Sequence, residues 1–264
     1  MTVKKVDTHQ HFWNLDIVEY SWLVPEYGPL YRTFGPQELE PQLKEAGIDL
    51  TVLVQSANSY DDTNYMLMQA DRFSWIGAVI GWLPLWNPRE VARMLDNKYM
   101  KHPKFRGMRH LIHEEQDSDW IVWPMVIEGL KQLQERNLIF EVVAVYPNHL
   151  KHVPTIKDKV MDAWADQLAA AARYPNVYAK ISGLNTAADW ATWSASDLKP
   201  YIDFAIEQFG AGRLMFGSDW PVCILAGDYH KVWRETNKAL SGRSAAEIDA
   251  ILGGTAMRVY RLGE

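Results

Sequence analysis

Cysteine is almost absent. One residue, Cys223, stands among 264, so an internal disulfide framework is excluded and a reducing compartment is the simpler expectation. There is no lysine- or arginine-rich cluster and no long acidic tail. With a formal net charge of −6 and a pI near 5.8, the chain lacks the electrostatic footprint of a nucleic-acid binder. Long hydrophobic runs are missing as well. The longest, from Ile76 to Trp86, is interrupted by Pro84 and is too short to span a bilayer, which takes about 20 apolar residues. Met1 to Lys5 leads into a polar, histidine-bearing segment and not into an apolar leader. The expectation is a cytoplasmic protein with neither a secretory signal nor a membrane partner. No linker or low-complexity stretch divides the chain, and residues 1–264 are expected to form a single domain, a size routine for barrels.

What the chain does have is aromatic surface and a βα rhythm. Twelve tryptophans and twelve tyrosines supply core, and also flat faces of the kind that bind sugar rings. Short β-branched runs at Lys4–Thr8, Leu50–Ser56, Trp75–Leu83, Phe105–His110, Leu138–Tyr146, Asn176–Ser182 and Arg213–Gly217 alternate with helical stretches. Many of those stretches open on proline, and the first stops at Gly47. This alternation is the signature of a parallel sheet. At this length it predicts an α/β fold, a distorted (β/α)8 TIM barrel. Only seven runs can be found, however. Residues 147–174 hold a helix but no convincing strand, so one βα unit is expected to be missing near residues 150–158. Residues 12–35 form a long connection with little periodicity that carries Trp13, Tyr20, Trp22, Tyr27 and Tyr31. Its length suggests a flap over a site.

The candidate chemistry starts at Val6-Asp7-Thr8-His9-Gln10-His11. Side chains at i and i+2 of a strand share a face, so His9 and His11 can converge on a metal or a substrate. Imidazole suits either task. Taken alone, the pattern also fits two half-exposed loop histidines. A second strand ends in Gly217-Ser218-Asp219-Trp220-Pro221. Barrel active sites gather at the C-terminal ends of strands, and closure would set Asp219 beside the histidine pair, although an isolated Ser-Asp is also a common turn. Weaker candidates follow from position: Gln55 ends a strand, while Glu141 and Lys180 are charged residues inside apolar runs and are equally readable as an interior ion pair. Cys223 reads as packing. His102, His113 and His230 suggest no site.

Three segments, VDTHQHFW, FRGMRH and GSDWPVC, together resemble the amidohydrolase superfamily, in the branch that contains sugar lactonases and 2-pyrone-4,6-dicarboxylate lactonase. The resemblance covers essentially the whole chain. It implies a distorted barrel hydrolase with His9 and His11 on the first strand and Asp219, on the last, taking a proton from the hydrolytic water. Arg109 and His110, at the end of the fourth strand, are implied as substrate contacts; Trp13 and Trp22 are candidates to stack on the substrate ring, and position alone adds Gln55, Lys180 and His149. The cofactor implied is a divalent metal, zinc above others, held by His9, His11 and Asp219; some lactonases of the branch work without metal. The family's strand-six histidine, in an Asp-His-Gly/Ala-Lys-Pro context, has no counterpart in this chain, and the gap falls where the eighth run is missing. His149 and His152 lie nearby. The expected function is ring opening of a sugar-derived lactone. A zinc-dependent non-oxidative decarboxylase and an inactive sugar-binding barrel stay open as alternatives. The expected partner is a small-molecule substrate, and beyond the dimer common to acidic barrels of this kind the sequence says nothing about assembly.

Overall fold

The computed structural model describes residues 3–143 and 156–263; His149 and His152 lie outside them. All seven expected strands are present, most of them shorter than the runs that announce them. They are β1 (Val6–Gln10), β2 (Leu50–Val54), β3 (Ile76–Gly81), β4 (Phe105–His110), β5 (Ile139–Val142), β6 (Ala179–Ile181) and β7 (Leu214–Phe216). Five of them form a parallel sheet in the order β1-β2-β3-β4-β5, and β6 pairs with β7, also in parallel. The two sheets join at β1. Asp219 N donates to His9 O (2.7 Å), His11 N donates to Trp220 O (2.7 Å), and the Thr8 hydroxyl donates to Phe216 O (2.7 Å). The spatial order is therefore β6-β7-β1-β2-β3-β4-β5. This is a barrel wall that lacks one strand between β5 and β6 among the described residues, as the strand count predicts.

The two-sided burial expected of parallel strands is met along β2, β3, β4 and β7, while β5 and β6 are only partly covered. Val6, Val52, Val54, Ala78, Ile80 and Met215 face the interior, where Tyr260 and Leu262, in the turn just after the helical segment Thr255–Val259, pack against them. Leu53 and Val79 point the other way, into the layer shared with the helices. Those helices include α1 (Pro36–Ala46), α2 (Tyr60–Arg72), α3 (Pro88–Asn97), α4 (Pro124–Glu135), α5 (Asp162–Ala172), α6 (Ala195–Phe209) and α7 (Tyr229–Ala239). Caps fix the start of several: Ser59 accepts from Asp62 N at the start of α2, and Asp228 accepts from Lys231 N at the start of α7. Among the described residues no helix is long and apolar enough to cross a membrane.

A part-buried ion pair reaches across the incomplete wall. Lys180 Nζ on β6 donates to Glu141 Oε2 on β5 (2.6 Å) and to Thr8 O (2.7 Å), while Glu141 Oε1 accepts from the Tyr260 hydroxyl (2.6 Å). Lys180, expected among the substrate contacts, is thus engaged in the interior pair that the sequence equally allowed. Burial lowers its pKa, and the Glu141 carboxylate opposes that shift. Removing one partner of such a pair strands a charge and costs about 3–5 kcal/mol. We therefore expect Lys180→Met to lose about 3 kcal/mol in urea unfolding and Lys180→Met/Glu141→Gln to recover part of it. Equal stability of wild type and the single variant would show that the pair does not brace the wall.

Candidate active site

His9 ends up opposite Asp219 because β1 and β7 are hydrogen-bonded neighbours. Gly217 allows that approach, since a Cβ there would meet His9 Cβ at 2.6 Å. Asp7 fastens the same seam: its Oδ1 accepts from His9 N (3.1 Å) and Ser218 N (2.9 Å), and its Oδ2 accepts from the Tyr229 hydroxyl (3.1 Å). Burial raises the Asp7 pKa to about 6 against these hydrogen bonds. Asp219 holds φ +59, a left-handed conformation that aspartate tolerates better than most residues. Its N–H is bound to His9 O, and its C=O accepts from Cys223 N (2.9 Å).

Three acceptors converge at this seam. His11 Nδ1 lies 2.8 Å from Val54 O; a carbonyl only accepts, so Nδ1 carries the proton and Nε2 presents a lone pair. Arg109 Nη1 donates to His9 Nε2 (3.2 Å), so the His9 proton sits on Nδ1, which faces Ser182 Oγ at 2.8 Å. The two Nε2 atoms are 3.1 Å apart, and Asp219 Oδ1 lies 3.5 Å from His9 Nε2 and 3.4 Å from His11 Nε2. Burial lowers the pKa of both histidines, and the neighbouring Arg109 lowers it further. Two neutral imidazoles and a carboxylate oxygen thus point lone pairs at one another, an arrangement that calls for a cation, a proton or a water between them.

The residues fit a metal. The three atoms belong to a His-His-Asp cluster whose ligand atoms all lie within 4.8 Å of one another. The point equidistant from them is about 1.9 Å from each, close to the ~2.0–2.2 Å of zinc–nitrogen and zinc–oxygen bonds. Three protein ligands with an open position also match a catalytic zinc site. Ser182 and Val54 hold the outer ring nitrogens, as supporting groups do around ligating histidines.

Arg109 crosses the mouth of the barrel from the end of β4. It is 7% exposed, its Nη2 donates to Gln55 O and to Gln55 Oε1 (3.3 Å), and its Nε has no partner among the described residues. Arg106 points away, donating to Tyr260 O, as alternation along the strand requires. His110 leaves the acceptor cluster. Its Nδ1 accepts from Trp82 Nε1 (2.9 Å), its Nε2 meets Glu115 Oε1 (2.7 Å), and its ring stacks on Trp120 with centroids 4.0 Å apart. Burial lowers its pKa to about 3.

Gln55 is buried and donates to Asn58 Oδ1 (3.1 Å), joining Arg109 to the turn after β2. Trp13, expected to stack on substrate, is fully buried against Trp22 and Phe34 and donates to Arg32 O (2.7 Å); both of its faces are used inside the flap. Trp22 is half-buried and donates to Ser56 O (2.6 Å), anchoring the flap over β2. Ser182, Asn58 and Glu115 do not stand out in the sequence, and His113 reads there as no site. Of these, only Ser182, in the Ser-Gly that follows β6, carried a positional signal.

The amidohydrolase family profile matches residues 6–149 and 151–262. The chain belongs to the amidohydrolase family. It is similar to an L-fucono-1,5-lactonase of Burkholderia ambifaria, with 33% identity over 288 aligned positions covering 98% of this chain and 96% of that protein. A solved amidohydrolase from Burkholderia multivorans with bound zinc superposes with a TM-score of 0.89 at 31% identity, covering 98% of this chain and 99% of that one. A 5-carboxyvanillate decarboxylase from Novosphingobium aromaticivorans shares the fold at TM-score 0.65 and 14% identity, covering 98% and 96%. The lactonase alignment is longer than this 264-residue chain, so at least 24 of its positions face a gap here. The family match breaks at residue 150. Both observations agree with a missing βα unit, which takes about 30 residues.

Asp62 supports the turn that carries these residues. Its Oδ2 accepts from Ser56 N (2.8 Å) and Ala57 N (3.3 Å), and burial raises its pKa to about 7. The folded state therefore holds the proton more tightly than the unfolded chain, whose aspartate has the ordinary value of 3.8. Stability from this group is fully present below pH 3.8 and is lost as pH rises towards 7, by at most about 1.4 kcal/mol per pH unit. Asp62→Asn should lose less stability between pH 4 and 7 than wild type in urea titrations. Parallel pH profiles would show that Asp62 is ionised in the fold.

Proposed function

We propose that this protein hydrolyses sugar lactones of the L-fucono-1,5-lactone kind. The observation that carries the reading is the cluster of three acceptors beside a buried arginine with an unused donor, set in a chain one-third identical to a lactonase over nearly its whole length. Lactone opening needs a base for the attacking water, a group on the carbonyl, and donors for the oxyanion. Asp219 takes the water proton, since its carboxylate lies beside the two Nε2 atoms and its side chain is 15% exposed at the mouth. Arg109 directs its guanidinium at the carbonyl oxygen, with Nε free to donate as charge develops there. Gln55 and the His9 ring fix the guanidinium plane. The same Asp219 carboxyl then returns its proton to the leaving ring oxygen, and the sugar acid departs.

His9, His11 and Asp219 would hold the zinc ion that the B. multivorans relative binds. Zinc in such a site polarises a carbonyl and lowers the pKa of a bound water to about 7. A small polar substrate and a single buried cysteine fit the cytoplasm. The missing βα unit favours one second reading, a sugar-binding barrel without turnover, because a family residue of the site would lie in that unit.

A weakly buffered solution of L-fucono-1,5-lactone should acidify on addition of the protein, as an indicator dye reports. Asp219→Asn should slow that reaction by about 10²–10⁴, the range for loss of a positioned base. If zinc is part of the site, chelation abolishes the activity and zinc restores it. Lactone binding without acid release, unchanged in Asp219→Asn, would establish the second reading instead.

A further inference from the structure

Beyond the three acceptors and Arg109, a second set of polar groups lines the same mouth and is not used by the reaction above. Short polar contacts connect the two sets. Arg109 Nη2 donates to Gln55, Gln55 Nε2 donates to Asn58 Oδ1 (3.1 Å), Asn58 Nδ2 stands 3.3 Å from His110 Nε2 without bonding to it, and His110 Nε2 lies 2.7 Å from Glu115 Oε1. The protons along this chain can be assigned. The Trp82 indole N–H only donates, so His110 Nδ1 is the acceptor and the His110 proton sits on Nε2, where it is given to Glu115. His110 is thus neutral and leaves the Glu115 charge uncancelled. No lysine or arginine pairs with Glu115 among the described residues.

Glu115 Oε2 makes no hydrogen bond among the described residues, and the side chain is 27% exposed. His113 Nδ1, close enough to both Arg109 and His110 to share their field, is buried without a partner among the described residues. Trp86, 43% exposed, stands edge-on to the His110 ring with centroids 6.0 Å apart. A carboxylate with one free oxygen and an exposed indole, both set against the His110 ring, are suited to hydroxyl donors on a flat ring. It also opposes an anionic substituent in the same place.

We propose that Glu115 is a specificity-determining residue that accepts hydrogen bonds from the hydroxyl groups of the lactone, with Trp86 as the wall of the subsite, and that it selects polyhydroxylated lactones against carboxylated ones. The proposal rests on the lactonase reading for the reaction, while the recognition chemistry is read from these residues alone. Glu115→Gln keeps the shape and the acceptor for His110, removes the charge and turns the free acceptor oxygen into an NH2 donor. In this variant kcat/KM for L-fucono-1,5-lactone should fall at least tenfold relative to that for δ-valerolactone, with KM carrying the change, while kcat/KM for 2-pyrone-4,6-dicarboxylate rises. Glu114→Gln, which alters an adjacent carboxylate bonded to Ser21, should leave both ratios where they are in wild type. Equal losses on all three lactones would mean that Glu115 acts only by holding His110, and an unmoved ratio would mean that it touches no hydroxyl; either result overturns the proposal. Wild-type protein that opens no lactone sinks the lactonase reading alone. The subsite is then decided by calorimetry with the corresponding sugar lactam, where Glu115→Gln binding at least tenfold more weakly supports it and equal binding overturns it.

Discussion

Everything in this site follows from three lone pairs that face one another with a single N–H, from Arg109 Nη1, to share. His9 Nε2, His11 Nε2 and Asp219 Oδ1 lie 3.1–3.5 Å apart, and each histidine's proton is committed on its far nitrogen to Ser182 or Val54. Such a cluster is unfavourable unless something positive sits within it or beside it. Arg109 supplies part of that charge from the side. The remaining space suits either a divalent ion or a water about to lose a proton, and both lead to hydrolytic chemistry. The seam that forces the cluster together is built from backbone: Asp219 N on His9 O, His11 N on Trp220 O, and the Asp7 carboxylate spanning both chain segments.

The strand missing among the described residues is separated from this seam by β6 and β7. β1 and β7 are neighbours whether or not a strand stands between β5 and β6, so the acceptor cluster survives its loss. What changes is the wall. Where a further strand would have hydrogen-bonded to both edges, a single ion pair, Lys180–Glu141, links them among the described residues. A charged pair in the interior is an expensive substitute for backbone pairing, and its extra anchors on Thr8 O and the Tyr260 hydroxyl offset part of that cost.

The fold was readable because periodicity and burial are local. Seven apolar runs, proline at helix starts and glycine after the first helix are enough to place the strands, and counting them finds the gap. His9, His11 and Asp219 were readable for a related reason: strand alternation and barrel closure together dictate their meeting. Trp13 misled, because an aromatic near a site looks the same in sequence whether its face is free or covered. The structure covers it with Trp22 and Phe34. Glu115 and Asn58 left no sequence signal. They lie in irregular segments after β4 and β2, and their roles depend on which proton His110 carries, which only the Trp82 indole decides. His149 could not be judged, since it lies outside the described residues.

The central claim is that water attacks the lactone carbonyl at this cluster, and isotope labelling tests it most directly. Opening of L-fucono-1,5-lactone by the protein in ¹⁸O-enriched water should place one label in the carboxylate of the sugar acid and none on the released ring hydroxyl. Label on the ring hydroxyl, or label incorporated no faster with the protein than without it, would contradict the account.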